Sequence, residues 1–360
     1  MENGISLYPG QGTPLEQSLA IIEEAAGCGL RRLFLALPEY PTDLGDIKGE
    51  LSAILKAARQ NDMEVVANVT PQTQERLELP ELSPSLFRIW GIKTLRLAEG
   101  FSPAEIATLS QNRQGIRIAL NASTVTSRII AALVELKANF RQIEALHSFY
   151  PRPFTGLSED LLVRKTMLLH KAGIRVGAFV PGANRQHNFC KAGCPTLENH
   201  REETASLAAR HLVALGIDAI FLGDLPPLPE ELQAISQLSD KAVTLQAKWL
   251  TPNPQLRQHL QHVFTARQDV AQNAVRAGDS RDFWQDTELQ IAPENAVSRP
   301  LGAITIDNER NLPYMGEVQI CRSNLPADTG VNVAAQIDSR ELNLIEYISP
   351  GRKFSFIFHE

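Results

Sequence analysis

Gln142-Ile-Glu-Ala-Leu146 runs directly into His147-Ser-Phe-Tyr-Pro-Arg-Pro-Phe-Thr-Gly-Leu-Ser158, and then into Glu159-Asp-Leu-Leu-Val-Arg-Lys-Thr-Met-Leu-Leu-His-Lys-Ala172. The first piece is short and apolar and reads as a buried strand. The last carries apolar residues three and four apart, with Gly173 behind it, and reads as a helix. The turn between them needs Gly or Pro. It does not need the His, Tyr and Arg that crowd beside them. In a barrel of such units, this turn lies on the face that carries active sites.

The same unit recurs outward from this point. Short apolar runs occur at 4–8, 33–37, 64–68, 94–97, 116–120, 142–147, 174–179 and 218–222. Helix-like stretches follow at 15–26, 44–60, 103–110, 124–138, 159–172, 197–215 and 229–238. Residues 71–92 are less regular, broken by Pro80 and Pro84. Gly27, Gly173 and Gly216 stand at expected helix ends. Eight strand–helix units predict parallel strands with helical crossovers, and eight is the number that closes a barrel. A doubly wound open sheet is the competing architecture. After residue 238 the texture changes to strands without long helices, at 243–250, 303–307, 316–321, 331–335 and 353–358. The expectation is an α/β chain with a TIM-like (β/α)8 barrel over 1–238 and a smaller β domain over 239–360.

Of the 360 residues, 43% are apolar and 21% charged, which predicts a packed core and argues against disorder. A net charge of −6 argues against nucleic acid or an anionic membrane as the main partner. No apolar run approaches a membrane span, and the start of the chain does not read as a signal peptide. A cytoplasmic location is the expectation. Four cysteines, Cys28, Cys190, Cys194 and Cys321, are too few for a disulfide scaffold.

Reading the strand ends and the residues just beyond them gives the candidate site. They are Tyr8 and Gln11, Glu39, Asn68, Arg96 and Glu99, Asn121, His147 with Tyr150 and Arg152, and Asp224. Glu39, Glu99 and Asp224 offer up to three carboxylates at one rim. Paired carboxylates suit glycosidic cleavage, one as proton donor and one as nucleophile or base. Arg96, Arg152 and Asn121 suit an anion or sugar hydroxyls. Each has a plainer alternative: a rim Glu caps a helix, Asp224 turns the chain, His147 is a satisfied core histidine, and Tyr150 and Phe154 pack the loop. His187-Asn-Phe-Cys-Lys-Ala-Gly-Cys194, with His200 beyond, offers soft ligands, but at no standard zinc spacing. The stretch reads instead as a long substrate-covering loop through Arg185. It ends on a helix start capped by Thr196 that suits an anion.

Several motifs together resemble the bacterial 6-phospho-N-acetylmuramidase family (MupG type). They are Gly4-Ile-Ser-Leu-Tyr-Pro9, Leu95-Arg-Leu97 with Gly100-Phe101, Leu120-Asn-Ala-Ser123, and His147-x-Phe-Tyr-Pro with Thr155-Gly-Leu157. Further on come Pro195-Thr-Leu-Glu-x-His-Arg201, Ile220-Phe-Leu-Gly-Asp224, Ile304-Thr-Ile-Asp-Asn-Glu309 and Tyr314-x-Gly-Glu-Val-Gln-Ile320. The resemblance implies a barrel followed by a cyclophilin-like β domain. It also implies cleavage of N-acetylmuramic acid 6-phosphate–N-acetylglucosamine in cell-wall recycling, without redox cofactor or metal. Asp224, Glu99 and Glu39 are then the catalytic candidates. Tyr8, Asn68, Arg96, Asn121, His147, Tyr150, Arg152, Arg185, Thr196 and Glu198 are the substrate-binding candidates. In the family pattern an acid ends the third strand, where this chain has Asn68, and another follows Arg-Leu, where it has Ala98. Two alternatives follow from those departures. One is a glycosidase for another phosphorylated or acidic glycoside. The other is a sugar-phosphate binding protein without working acid–base groups.

Overall fold

The computed structural model describes residues 1–36, 44–73, 82–185, 191–239, 242–284 and 290–360, with 44–46 by backbone only. Two compact units divide the chain. One comprises Met1–Leu212 and Gly216–Leu238, and the other Val213–Leu215 and Ser239–Glu360.

The first unit alternates strands and helices: β1 (Gly4–Leu7), α1 (Leu15–Gly27), β2 (Arg32–Ala36), α2 (Leu44–Gln60), β3 (Glu64–Val69), α3 (Pro84–Trp90), β4 (Ile92–Leu97), α4 (Pro103–Ser110), β5 (Arg117–Asn121), α5 (Ser127–Glu135), β6 (Ile143–Leu146), α6 (Glu159–Lys171), β7 (Val176–Val180), α7 (Ala205–Ala214), β8 (Ala219–Leu222) and α8 (Pro229–Ser236). All eight strand pairs are parallel, and β1 pairs with both β2 and β8, so the sheet closes. The closed barrel, not the open sheet, is therefore the architecture. The register sets Asn68 beside Arg96, which aligns the polar strand ends of β3 and β4.

Inside the barrel, Phe34 and Phe221 pack edge-on or tilted around Phe179 at 5.0 and 5.6 Å. Phe149 closes on Phe179 at 5.1 Å. At the N-terminal strand ends, charges fill the space instead. Arg32 pairs with Glu144 and Arg117 with Glu64, and both arginines reach Thr94 Oγ1, at 3.4 and 3.3 Å. Arg32 also sits 5.4 Å from the centroid of the Phe221 ring. Removing one partner of the buried Arg32–Glu144 pair is expensive because the other charge stays buried. This end of the barrel is thus packed and ionically closed, and the C-terminal mouth is left for function.

Several helix ends differ from the sequence reading, two of them in a way that changes the local structure. Gly29, not Gly27, takes the left-handed position after α1, at φ 95°. The helix expected over 197–215 begins only at Ala205, where the Thr204 hydroxyl accepts from Leu207 N at 3.3 Å. Thr196 is therefore not a helix cap. Leu197 is extended and bridges to Leu157 of the β6–α6 loop, just before a 3-10 turn at Glu198–His200: Leu157 N donates to Thr196 O and Glu198 N to Leu157 O, at 2.9 and 3.1 Å. That loop has its own backbone groups to satisfy, and this segment satisfies them.

The second unit holds β9 (Ala242–Trp249), α9 (Pro254–His259), β10 (Phe264–Thr265), β11 (Ala274–Arg276), β12 (Ala303–Asp307), β13 (Val318–Cys321), β14 (Val331–Ile337) and β15 (Lys353–His359). They form a seven-stranded sheet in the order β10-β15-β9-β14-β12-β13-β11. The sheet curls until its edges meet, at an Ala266–Ala277 bridge with Gly278 N donating to Thr265 O at 2.8 Å. β10 and β11 have only two and three residues, too short for an alternating pattern to reveal.

Candidate functional site

The C-terminal ends of β3, β4 and β5, with the residue after His147, line an open cleft of about 420 Å³. Its walls are Thr70, Gln72, Arg96, Ala98, Glu99, Asn121 and Ser148. Arg96 is the organising group. Its Nη1 donates to Asn68 Oδ1 at 3.0 Å and its Nη2 to Ser148 Oγ at 2.7 Å. Ser148 Oγ donates to Asn121 Oδ1 at 3.3 Å, and Asn121 Oδ1 also accepts from Ser123 N at 3.1 Å. One guanidinium thus ties polar side chains from β3, β5 and the start of the β6–α6 loop. Such a planar, preorganised cation suits a phosphate or carboxylate.

His147 lies behind this wall. It has no solvent exposure, and its Nδ1 meets Ser123 Oγ at 3.2 Å and its Nε2 meets Thr166 Oγ1 at 3.4 Å. Ser148 N donates to the same Ser123 oxygen. The chain of bonds is complete when Ser123 donates to Nδ1 and the ring hydrogen sits on Nε2. Burial, then the charges of Lys165 and Arg96, push the imidazole down to about 3, so it is neutral near pH 7. It supports Ser123 and Ser148 rather than facing the cleft. Ser148 was not among the expected residues. Strand parity could have found it, since neighbouring residues of an extended segment face opposite sides.

The acids of the mouth divide into two kinds. Glu99 is exposed and lines the cleft. Asp224 is fully enclosed, and its Oδ2 accepts from Gly182 N and Cys194 N, each at 3.0 Å. It thereby ties the start of the β7–α7 loop to Cys194 further along it. Burial pushes its carboxyl pKa up, only partly offset by those two bonds and by Arg185. Arg185 Nε donates to Gly182 O at 3.2 Å, and the side chain reaches Glu202 at 3.3 Å. Glu231 fixes Ala183 N at 2.8 Å in the same way. Glu198 accepts from Phe154 N at 2.8 Å, from Gly156 N at 2.7 Å, and from Arg201 at 2.7 Å. The Arg201 guanidinium and the two N–H groups hold it down at about 2. Glu39 lies outside the described residues.

Of the remaining expected residues, Tyr8 is buried, and its hydroxyl donates to Gly223 O at 2.5 Å. Burial, then Cys194 and Asp224, push its phenol up. Thr196 is buried, accepting from Phe179 N and donating to Ser148 O at 2.9 and 3.0 Å. Tyr150 is half-buried and Arg152 exposed, and the backbone carbonyls of both accept from Arg201. The structure therefore brings Asn68, Arg96, Glu99 and Asn121 together. It sets Tyr8, Asp224 and Arg185 around the β7–α7 loop, and Glu198 under the β6–α6 loop. Phe154, which the plainer alternative had packing the loop, is exposed.

Of the soft-ligand stretch, Cys194 is buried, and His200 Nε2 is bonded to His211 Nδ1 at 2.8 Å. His187 and Cys190 lie outside the described residues. Among the described residues no group of three or more His, Cys, Asp or Glu is arranged to hold a metal. Among them, too, no helix is long and apolar enough to cross a membrane.

Two family models match the chain: the N-terminal domain of 6-phospho-N-acetylmuramidase over residues 3–237 and the C-terminal domain over 243–357. The chain belongs to the 6-phospho-N-acetylmuramidase family. It is similar over 99% of its length to all of an uncharacterized B. cereus protein of known crystal structure, at 28% identity and a TM-score of 0.82. It is also similar over 100% of its length to 97% of a conserved Enterococcus faecalis protein of unknown function, at 27% identity and a TM-score of 0.67. Among curated proteins, none matches the chain.

Proposed function

We propose that the protein is a glycoside hydrolase that cleaves N-acetylmuramic acid 6-phosphate–N-acetylglucosamine in cytoplasmic peptidoglycan recycling. The observation that carries this reading is the Arg96 cleft in a chain of this family. A fixed guanidinium sits beside amide and hydroxyl side chains, with one exposed carboxylate, Glu99, at the same opening. Arg96 takes the anionic group of the substrate, and Asn121, Ser148, Thr70 and Gln72 take hydroxyl and acetamido groups. Glu99 acts on the glycosidic bond. A two-carboxylate mechanism needs a partner acid. Glu39 is that partner in this reading, because Asp224 and Glu198 already hold loops in place. The second unit, read as a cyclophilin-like domain, belongs to the same enzyme.

The test is direct. The purified protein is incubated with the phosphorylated disaccharide, and free N-acetylglucosamine is measured. Release that is lost in Glu99→Gln supports the reading, and no release from the wild type counts against it.

Asn68 and Ala98 favour a second reading. Both stand where the family pattern carries acids, and Asn68 is engaged by Arg96. In that case the cleft binds a phosphorylated sugar without cleaving it. Ligand-induced thermal stabilisation with no turnover, across a panel of phosphorylated glycosides, separates the two. Turnover of another member of the panel would instead point to a different phosphorylated or acidic glycoside.

A further inference from the structure

Phe154 sits at the tip of the β6–α6 loop with 93% of its surface exposed. Its φ is +66°, in the left-handed region that bulky residues avoid. A single exposed apolar residue is ordinary. This one is different because of how firmly the loop holds it. Glu198 binds the N–H groups on both sides of Thr155, and Arg201 binds Glu198 and the carbonyls of Tyr150 and Arg152. The Thr155 hydroxyl donates to Arg152 O at 2.6 Å. Gly156 is needed there, since a Cβ would lie 2.7 Å from Glu198 N. A half-buried ion pair, a glycine and a disfavoured backbone angle all serve to hold an aromatic ring out in solvent. Backbone strain of this kind at a functional rim points to a role for the residue that bears it.

The ring is carried by the loop that begins with Ser148 in the cleft wall. We infer that Phe154 is a stacking platform for the uncharged sugar of a disaccharide whose anionic sugar is held at Arg96. An N-acetylated pyranose presents an apolar C–H face, which an aromatic face accommodates. The charged sugar needs a cation, and the cleft supplies it. Because the loop is pinned beforehand, binding orders little, so the ring contact appears largely in affinity. The inference rests on the disaccharide reading above, and its test separates the two.

The assay compares the phosphorylated disaccharide with the methyl glycoside of the phosphorylated sugar, which lacks the second ring. Phe154→Ala raises the ratio of the disaccharide KM to the methyl glycoside KM roughly three- to tenfold, the range of an aromatic contact. Phe154→Trp restores the ratio. Phe154→Gly gives the same KM loss with a Tm at or above that of the wild type, because glycine relieves the left-handed angle. A purely structural role would lower Tm and affect both substrates alike. A ratio within about twofold of wild type in Phe154→Ala overturns the inference and leaves the hydrolase reading standing. If the wild type cleaves neither compound, the hydrolase reading fails. The platform is then judged by Phe154→Trp emission. A change on titration with the disaccharide but not the methyl glycoside sustains it, and no change overturns it.

Discussion

Asp307, at the end of β12, makes a sharp test of the energetics of the second unit. Its side chain is 3% exposed, Oδ1 accepts from Asn311, and Oδ2 has no hydrogen-bond partner among the described residues. Burial, with the charges of Glu317 and Asp328, lifts the carboxyl from 3.8 to about 6, against the opposing pull of Asn311 and Arg299. A carboxyl raised in the folded state binds its proton more tightly there than in the unfolded chain. Stability is therefore undiminished below about pH 4, falls as pH rises through 6, and stays low above it. At about 1.4 kcal/mol per pH unit the full effect is roughly 3 kcal/mol, and partial solvation reduces it to about 2. Asp307→Asn keeps an oxygen for Asn311 and removes the charge. Its amide N–H groups take the place of the unbonded Oδ2, which costs about 1 kcal/mol at every pH. The variant is thus less stable than wild type by about 1 kcal/mol at pH 4 and more stable by about the same at pH 7.5. Hydrogen exchange of peptides spanning residues 303–321, compared between the two proteins at each pH, reads this unit by itself. A stability difference that stays constant from pH 4 to 7.5, or one that changes in the opposite direction, refutes the reasoning.

Glu198→Ala removes the acceptor of Phe154 N and Gly156 N and strands Arg201. It should cost about 2 kcal/mol and raise exchange across residues 150–157 before the rest of the barrel. Because Glu198 is held at about 2, wild-type protection of that loop persists as acid is added and is lost only as pH falls toward that value. Arg96→Lys keeps the charge but cannot bridge Asn68 and Ser148 together, so affinity for a phosphorylated amino sugar should fall roughly tenfold by calorimetry. An unchanged affinity would remove Arg96 from the anion site. With His147 at about 3, no limb of the activity profile between pH 5 and 8 should belong to it. The profile of His147→Asn, scaled to its own maximum, should match the wild-type shape.

The barrel was legible because each of its strands is a short apolar run followed by an amphipathic stretch, and closure follows from their number. Asn68, Arg96 and Asn121 were legible for the same reason: each falls at or near a strand end, and the parallel register aligns strand ends. His147 and Ser148 show where the reading stopped. The histidine drew attention by its chemistry, but the one-residue alternation turned it toward Thr166 and turned the serine into the cleft. Asp224 was visible as a rim acid and Glu198 as a substrate-binding candidate, yet their partners are backbone N–H groups up to 44 residues away in sequence. No local pattern announces such a bond. The helix expected from Leu197 failed because residues 195–198 pair with a loop, a tertiary demand that helical periodicity does not register.

These placements constrain how the mouth of the barrel works. Asp224, Glu231 and Glu198 each accept backbone N–H groups from loops, so their charges define loop shape. Protonating or replacing any of them would change geometry before it changed chemistry. The ion pairs at the opposite end act likewise, holding the strand starts together. The described cleft presents a guanidinium, a set of neutral hydrogen-bonding groups and one exposed carboxylate. That composition is well matched to holding a polar, anionic sugar and sparing in acid–base groups. Under the proposed hydrolase reading, bond cleavage would fall to Glu99 and a second acid facing it. On that reading, the loops that the other carboxylates hold in place would set which sugars come within reach.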